Sequence, residues 1–276
     1  MEESSFGGKL GSLEAWKLGS SWIDTHCHLD TQYFPNADEV IARAKSSGVE
    51  RFVVIGVGKD LGPAKSAILL ARRRDDVTCA VGVHPHDATE MDDAMLEELR
   101  SLAGQPEVVA VGEIGLDYHY DHSPRAKQQE IFARLIALAR EVKKPIVVHT
   151  REAAKDTIDI LEREGARDVG GVIHCFSEDW AFAGRAFDLD FDVSFSGIVT
   201  FKGAVGVQEV AKRAPKERIH IETDSPYLAP IPMRGKPCEP AYVGYTAKKV
   251  AELRGIAHAD LAPILRENAV RRRLAP

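Results

Sequence analysis

Paired cysteines are missing from this sequence. The four present, Cys27, Cys79, Cys175 and Cys238, stand far apart with no recurrent spacing, which excludes a disulfide framework and suits a reducing compartment. An apolar run of the roughly 18 residues that a membrane span needs is also absent. Positive charge is not in excess: 36 Lys and Arg stand against 42 Asp and Glu, a net charge of −6, so there is no broad basic surface for nonspecific nucleic-acid binding. Any polyanionic substrate has to be gripped locally. The opening MEESSFGGKLGSLEAWKLGSS lacks the positive start and apolar stretch of a secretory signal, and residues 1–21 read as a flexible leader. A soluble, cytoplasmic protein without membrane contact is expected. Oligomeric state is open, a monomer being sufficient.

What is present is enough apolar material, 44% of 276 residues, for one large core or two modest ones. Short apolar runs alternate with amphipathic helical stretches. Strands are expected at 22–29, 51–57, 78–84, 108–115, 145–150, 171–176, 192–197 and 219–224. Between them, Asn36 with Glu39 forms a capping box ahead of VIARAKSSG, and Ser123-Pro124 opens a long helix whose face carries Ile131, Leu135, Leu138 and Val142. Eight alternations of strand and helix predict one α/β domain over 22–276, a closed (β/α)8 TIM-type barrel, with one or two closing helices from Glu239 onward. The run Arg271–Arg273 reads as a solvated helix end, and His220, at the far end of its strand, as structural.

Active sites of such barrels form at the C-terminal ends of the strands. There the first strand, WIDTHCHLD, offers Asp24, His26 and His28 at intervals of two, which puts them on one face. Glu113 lies on the fourth strand, His149 ends the fifth, His174 the sixth and Asp224 the eighth. Cys27 and Cys175, each beside a histidine, then point the other way and pack as small hydrophobes. Burying six nitrogen and oxygen donors together is costly without a shared partner, and the economical partner is metal. Six donors exceed one tetrahedral site, so two divalent ions are expected, about 3.5 to 4 Å apart and bridged by Glu113. His26, His28 and Asp224 would hold one, His149 and His174 the other. Zinc, manganese or a weakly held magnesium are all compatible with these donors.

The motifs DTHCHLD, GVHPH, GEIGLDY, DHSPRAKQQEIF, PIVVHTREA, HCFS, ETDSPYLAP and RGK resemble those of the TatD family of metal-dependent deoxyribonucleases, within the amidohydrolase-like barrels, from about Ile23 to the tail. The resemblance implies a (β/α) barrel, divalent metal on the six residues above, and hydrolysis of nucleic-acid phosphodiesters, commonly as an exonuclease on single strands, with DNA ends as the partner and RNA possible. Two positions depart from the pattern: Cys238 stands where Asn is expected, and Glu178-Asp179 follow HCFS in place of a glycine.

Beside the resemblance, Asp224 suits the general base, because a strand-end carboxylate can hold an ion and still accept a proton from water. A plain ligand is its other reading. Asp24 and Glu222 lie deeper, where they orient histidines or are simply buried. For substrate phosphate, His84, His86, Tyr118 and Arg151 are candidates, the arginine for its planar fork. Arg151 could instead pair with Glu152 or Asp179. His119, Tyr120 and His122 read as exposed loop residues. Two alternatives remain: hydrolysis of another ester or amide in the same kind of barrel, and a metal-holding scaffold without turnover.

Overall fold

The structure is a computed structural model describing residues 21–276, so all of the expected leader except Ser21 lies outside the described residues. Strand and helix alternate as β1 (Trp22–Cys27), α1 (Ala37–Ser46), β2 (Val49–Gly56), α2 (Gly62–Arg72), β3 (Val77–Val81), α3 (Asp93–Ala103), β4 (Val108–Asp117), α4 (Arg125–Val142), β5 (Ile146–Arg151), α5 (Ala154–Arg163), β6 (Gly171–Ile173), α6 (Trp180–Asp188), β7 (Phe191–Phe195), α7 (Val205–Arg213) and β8 (Ile219–Ile221). Helices α8 (Val243–Arg254) and α9 (His258–Arg271) follow. The strands are parallel and ordered β1 to β8. Closure falls just past β8, where Cys27 bridges to Ser225, the His28 N–H donates to the Ser225 carbonyl, and the Asp224 N–H donates to the His26 carbonyl, both at 2.9 Å. The chain is a (β/α)8 barrel.

Local signals account for the helices. Asn36 caps α1, its side-chain oxygen accepting from the Asp38 and Glu39 N–H groups, while its amide donates to Glu39 at 2.9 Å. Pro124 presets the entry to α4. Ser123 is spent elsewhere: its hydroxyl donates to the His86 carbonyl at 2.8 Å, tying the β3 exit to the α4 entry. Ile131, Leu135 and Leu138 are buried and Val142 half-buried. The core has two layers. Alternate strand residues pack outward against the helices, as Val54, Val81, Val148 and Val193 do. Ile23, Val53, Ile55, Ala80, Ala110, Val147 and Val172 fill the interior, and Leu274 and Ala275 seal it from below.

Three sequence expectations change. The ladders of β6 and β8 are short, so His174 and Asp224 lie beyond them rather than within them, and Cys175 and Asp224 adopt φ of +44° and +55° where the chain leaves the sheet. Asp24 does not share a face with His26 and His28. It pairs with Phe52 of the outer layer, and a register shift between Asp24 and Cys27 separates it from the histidines. The arginine run is solvated at Arg271 and Arg273 but not at its centre. Arg272 is 5% exposed and bonds Asp190 and Asp192, and Arg271 reaches Asp192 as well. The apolar floor beside them explains this: Leu274 cannot enter the barrel without drawing its neighbours against the sheet. His220 donates from Nε2 to the same Asp192 at 2.9 Å, a structural role far from the mouth.

This buried network yields a stability prediction. Asp192→Asn removes the fully buried one of Arg272's two countercharges and leaves only the partly exposed Asp190, and the expected cost is about 3 kcal/mol, read as a lower denaturation midpoint. Burial raises the Asp192 carboxyl, but the hydrogen bond and charge of His220, with Arg272, outweigh it and hold the group well below its ordinary 3.8. A depressed carboxylate contributes stability above about pH 4 and loses it as pH falls through the folded value. The gap between variant and parent should therefore narrow below pH 4; a gap constant from pH 7 to pH 3 contradicts the assignment.

Candidate metal centre and active site

Strict alternation along β4 from Ala110, which faces the interior, would turn Glu113 outward. A register shift between Gly112 and Ile114 reverses the parity and brings Glu113, Gly115 and Asp117 inside. Gly115 is required there. Its φ is +144°, and a Cβ at this position would lie 1.9 Å from the His149 carbonyl oxygen of the paired strand. That close approach lets Glu113 meet His149.

Glu113 sits at the centre of the mouth, 3% exposed. Its Oε2 faces His26 Nε2 at 3.4 Å and His28 Nε2 at 3.8 Å, and both rings also reach Asp224 Oδ1 at 3.6 Å. Its Oε1 faces His174 Nε2 at 2.7 Å, His149 Nδ1 at 2.9 Å and His84 Nε2 at 3.4 Å. All six residues expected at the centre thus converge, and His84 joins them. Three sets of donor atoms gather closely enough to share an ion: His26, His28 and Asp224; His26, Glu113 and His174; and His84, Glu113 and His149.

The partners of each ring decide what its inward nitrogen can do. His149 Nε2 lies 3.1 Å from Asp117 Oδ2, and His174 Nδ1 lies 3.3 Å from Glu222 Oε1. Each carboxylate takes the ring N–H, so the opposite nitrogen points a lone pair at Glu113. Neither ring nitrogen of the fully buried His26 has a hydrogen-bond partner among the described residues. Lone pairs and a carboxylate converging in a buried space call for cations between them, and the residues fit a metal group. His84 differs. Its Nδ1 accepts the His86 N–H at 3.2 Å, which leaves the proton on Nε2 and makes the ring a donor toward Glu113 or a substrate oxygen. Burial holds its pKa down, at about 4, so it donates as a neutral ring.

Around the cluster, Glu222 accepts the Cys175 N–H at 2.6 Å as well as facing His174. Asp24 orients backbone rather than imidazole: it accepts from the Thr223 hydroxyl at 2.5 Å, the Thr223 N–H at 2.9 Å and the His26 N–H at 3.3 Å. Burial raises its pKa to about 8 against those hydrogen bonds. Cys27 and Cys238 are buried beside this segment, Cys238 with Sγ 3.9 Å from the Thr223 carbonyl oxygen, while Cys175 sits half-buried with Sγ 3.2 Å from Ser196 Oγ. Asp179 caps α6 by accepting the Phe182 N–H at 2.8 Å, and burial raises the neighbouring Glu178 carboxyl.

The rim corrects the sequence reading of the loop after β4. Tyr118 follows Asp117, so it points outward. Its hydroxyl donates to Asp156 at 2.7 Å and accepts from Gln129 at 2.7 Å, and Arg125 covers its ring, far from any substrate. Tyr120 lines the cleft in its place, stacked on His122 and carrying the Arg151 guanidinium 4.8 Å from its ring centroid. Arg151 is exposed in the cleft, since His119 takes Glu152 at 2.6 Å and Asp179 serves α6. His86 lies 3.0 Å from the same Asp117 oxygen that holds His149. Asp117 escaped the sequence reading. Its signal was there, in GEIGLDY, four residues beyond Glu113 and so on the same face of the strand. The cleft, about 1130 Å³, opens over this cluster.

Imidazoles and carboxylates gathered this way at the C-terminal mouth of a (β/α)8 barrel define a metal-dependent hydrolase. Residues 23–272 match the family described as TatD related DNase. The metal-dependent hydrolase YabD of Bacillus subtilis is 45% identical over 250 residues, 90% of this chain and 97% of that one. The 3'-5' ssDNA/RNA exonuclease TatD of Klebsiella pneumoniae is 31% identical over 230 residues, 82% and 87%. The crystal structure of YJJV, a TatD homologue from Escherichia coli, superposes with a TM-score of 0.84 at 27% identity, over 92% of this chain and 98% of that one. The chain belongs to the TatD family. No helix among the described residues is long and apolar enough to cross a membrane.

Gly115→Ala tests the packing that assembles the centre. The added methyl must push β5 away, so both thermal stability and divalent-metal content of the purified protein should fall together. Unchanged metal content in a folded variant would separate Gly115 from the site.

Proposed function

We propose that this protein hydrolyses nucleic-acid phosphodiester bonds with two divalent ions, acting on single-stranded DNA ends, with RNA a second substrate. The observation that carries the reading is Glu113 between two facing sets of donors. His26, His28 and Asp224 would hold one ion and His149 with His174 the other, Glu113 bridging them. Bound ions supply Lewis-acid activation of water and neutralise charge on the phosphate. Zinc, manganese and magnesium remain alternatives. Asp224, 8% exposed at the cleft floor, would accept the water's proton at a carboxylate oxygen. Neutral His84 would donate from Nε2 to a phosphate oxygen, His86 would line the same side, and Arg151, held by Tyr120, would grip the phosphate with its fork. Asp117 and Glu222 keep His149 and His174 in the tautomer this needs. The family membership and the exonuclease relative support the choice of substrate, and the absence of broad positive charge favours ends over strand interiors. A cytoplasmic location fits the four free cysteines.

Metal-stripped protein reloaded with zinc, manganese or magnesium should bind more than one ion per chain and shorten linear single-stranded oligonucleotides, while closed circles and panels of carboxylic esters and amides stay intact. Turnover of the ester or amide panel without oligonucleotide cleavage would favour another hydrolase of this barrel. Asp224→Asn should lower kcat by about 10² to 10⁴-fold and leave oligonucleotide affinity nearly unchanged. A kcat near the parent value would return Asp224 to a plain buried carboxylate.

A further inference from the structure

Two tyrosines stand over the closure of the barrel. Tyr33 follows β1 and Tyr227 lies three residues past Asp224; their hydroxyls meet at 2.5 Å and their rings stand edge to face, 5.7 Å between centroids. Both rings also stand edge-on to His28, at 6.4 and 6.1 Å. They are 37% and 46% exposed, and both line the cleft beside His28 and Asp224. One hydroxyl donates to the other, which fixes the two rings against each other and leaves one O–H of the pair, with the ring surface, facing the cleft. Tyr120, on the opposite side of the mouth, is 51% exposed, but its ring already stacks on His122 and carries the Arg151 guanidinium, whereas Tyr33 and Tyr227 carry no cation on their faces among the described residues. A phosphorus atom brought to the cluster leaves the adjoining part of its molecule within reach of Tyr33 and Tyr227, which line the cleft beside His28 and Asp224.

We infer that Tyr33 and Tyr227 form a stacking subsite for the base next to the bond being hydrolysed, and that they make the enzyme selective for unpaired nucleotides. The inference rests on the nuclease reading above. A phenol ring gains most from a flat, weakly hydrated partner, and a nucleobase offers such a face whatever its identity, so the subsite discriminates by exposure of the face and not by sequence. A base inside a duplex has its faces covered by its neighbours and cannot use it.

The test uses the metal-loaded full chain and single-stranded oligonucleotides that carry either normal bases or abasic sites at the two terminal nucleotides of each end. The parent protein should prefer the base-bearing strands. Changing both tyrosines to alanine should raise KM for those strands about ten- to a hundredfold, with kcat within a few-fold, and erase the preference over abasic ends. Changing both to phenylalanine keeps the rings and should keep the preference. If the alanine pair fails to fold, Tyr227→Leu, smaller but still apolar and without a flat face, should reduce the same ratio. An unchanged base-to-abasic ratio in the alanine or leucine variants overturns the subsite alone, as does a phenylalanine pair that loses as much as alanine. A parent protein that cleaves no oligonucleotide overturns the nuclease reading and the subsite with it.

Discussion

Glu113 is a carboxylate taken out of water with no lysine or arginine paired to it among the described residues. Moving such a group to a buried site costs several kcal/mol unless positive charge meets it, and here the groups that meet it are five imidazoles, His26, His28, His84, His149 and His174. Burial works against its ionised form, yet the charge of His174 and, while the two rings carry the second proton that an ion would displace, hydrogen bonds from His149 and His174 hold its pKa well below the ordinary 4.5. The reciprocal effect raises His174 far above 6.5, against burial, through Glu113 first and Glu222 after it. Protons and metal ions compete for the same positions. The register shift in β4, the glycine at 115 and the short β6 and β8 ladders all serve to gather these side chains around one point.

The two mouths of the barrel divide stability from chemistry. At the lower mouth Leu274 and Ala275 complete the apolar filling, and Arg272 is compensated by Asp190 and Asp192. The buried charges of this network, Arg272 and Asp192, have fixed protein partners. At the upper mouth neither ring nitrogen of His26 has a hydrogen-bond partner among the described residues, and Arg151 faces the open cleft over Tyr120. The lower network tolerates no exchange of partners. The upper one is built to acquire them.

The fold was legible because the sequence repeats one pattern: apolar runs of strand length at near-even spacing, separated by amphipathic stretches with recognisable starts such as Asn36 and Pro124. The six central donors were legible for a related reason, each being a polar residue at the end of an apolar run, where burial without a partner would be expensive. Parity within a strand was less accessible. WIDTHCHLD places Asp24 in phase with two histidines, but the shift after Asp24 breaks that phase, and only the pairing with β2 reveals it. Tyr118 and Tyr120 exchanged roles for a simpler reason: counting by twos from Glu113 leads to Asp117, which leaves 118 facing out. Arg272 could not be read at all, since its burial depends on a floor made by residues that follow it, meeting acids some eighty positions earlier in the chain.

The carboxylate of Asp24 holds Thr223, 199 residues away, and with the His26–Asp224 and His28–Ser225 backbone bonds it fastens the first strand to the segment past the last. The centre is therefore a product of the closure that joins the first strand to the end of the last. Closing so long a chain costs entropy that no local contact returns before the ends meet. A nascent chain emerging from the ribosome can pair β1 with β2 and cover both with helices, yet it holds no assembled site until the residues around Asp224 are out. Until then His26 and His28 have Glu113 but not Asp224 to meet, and the set of donors that gathers at the mouth is incomplete.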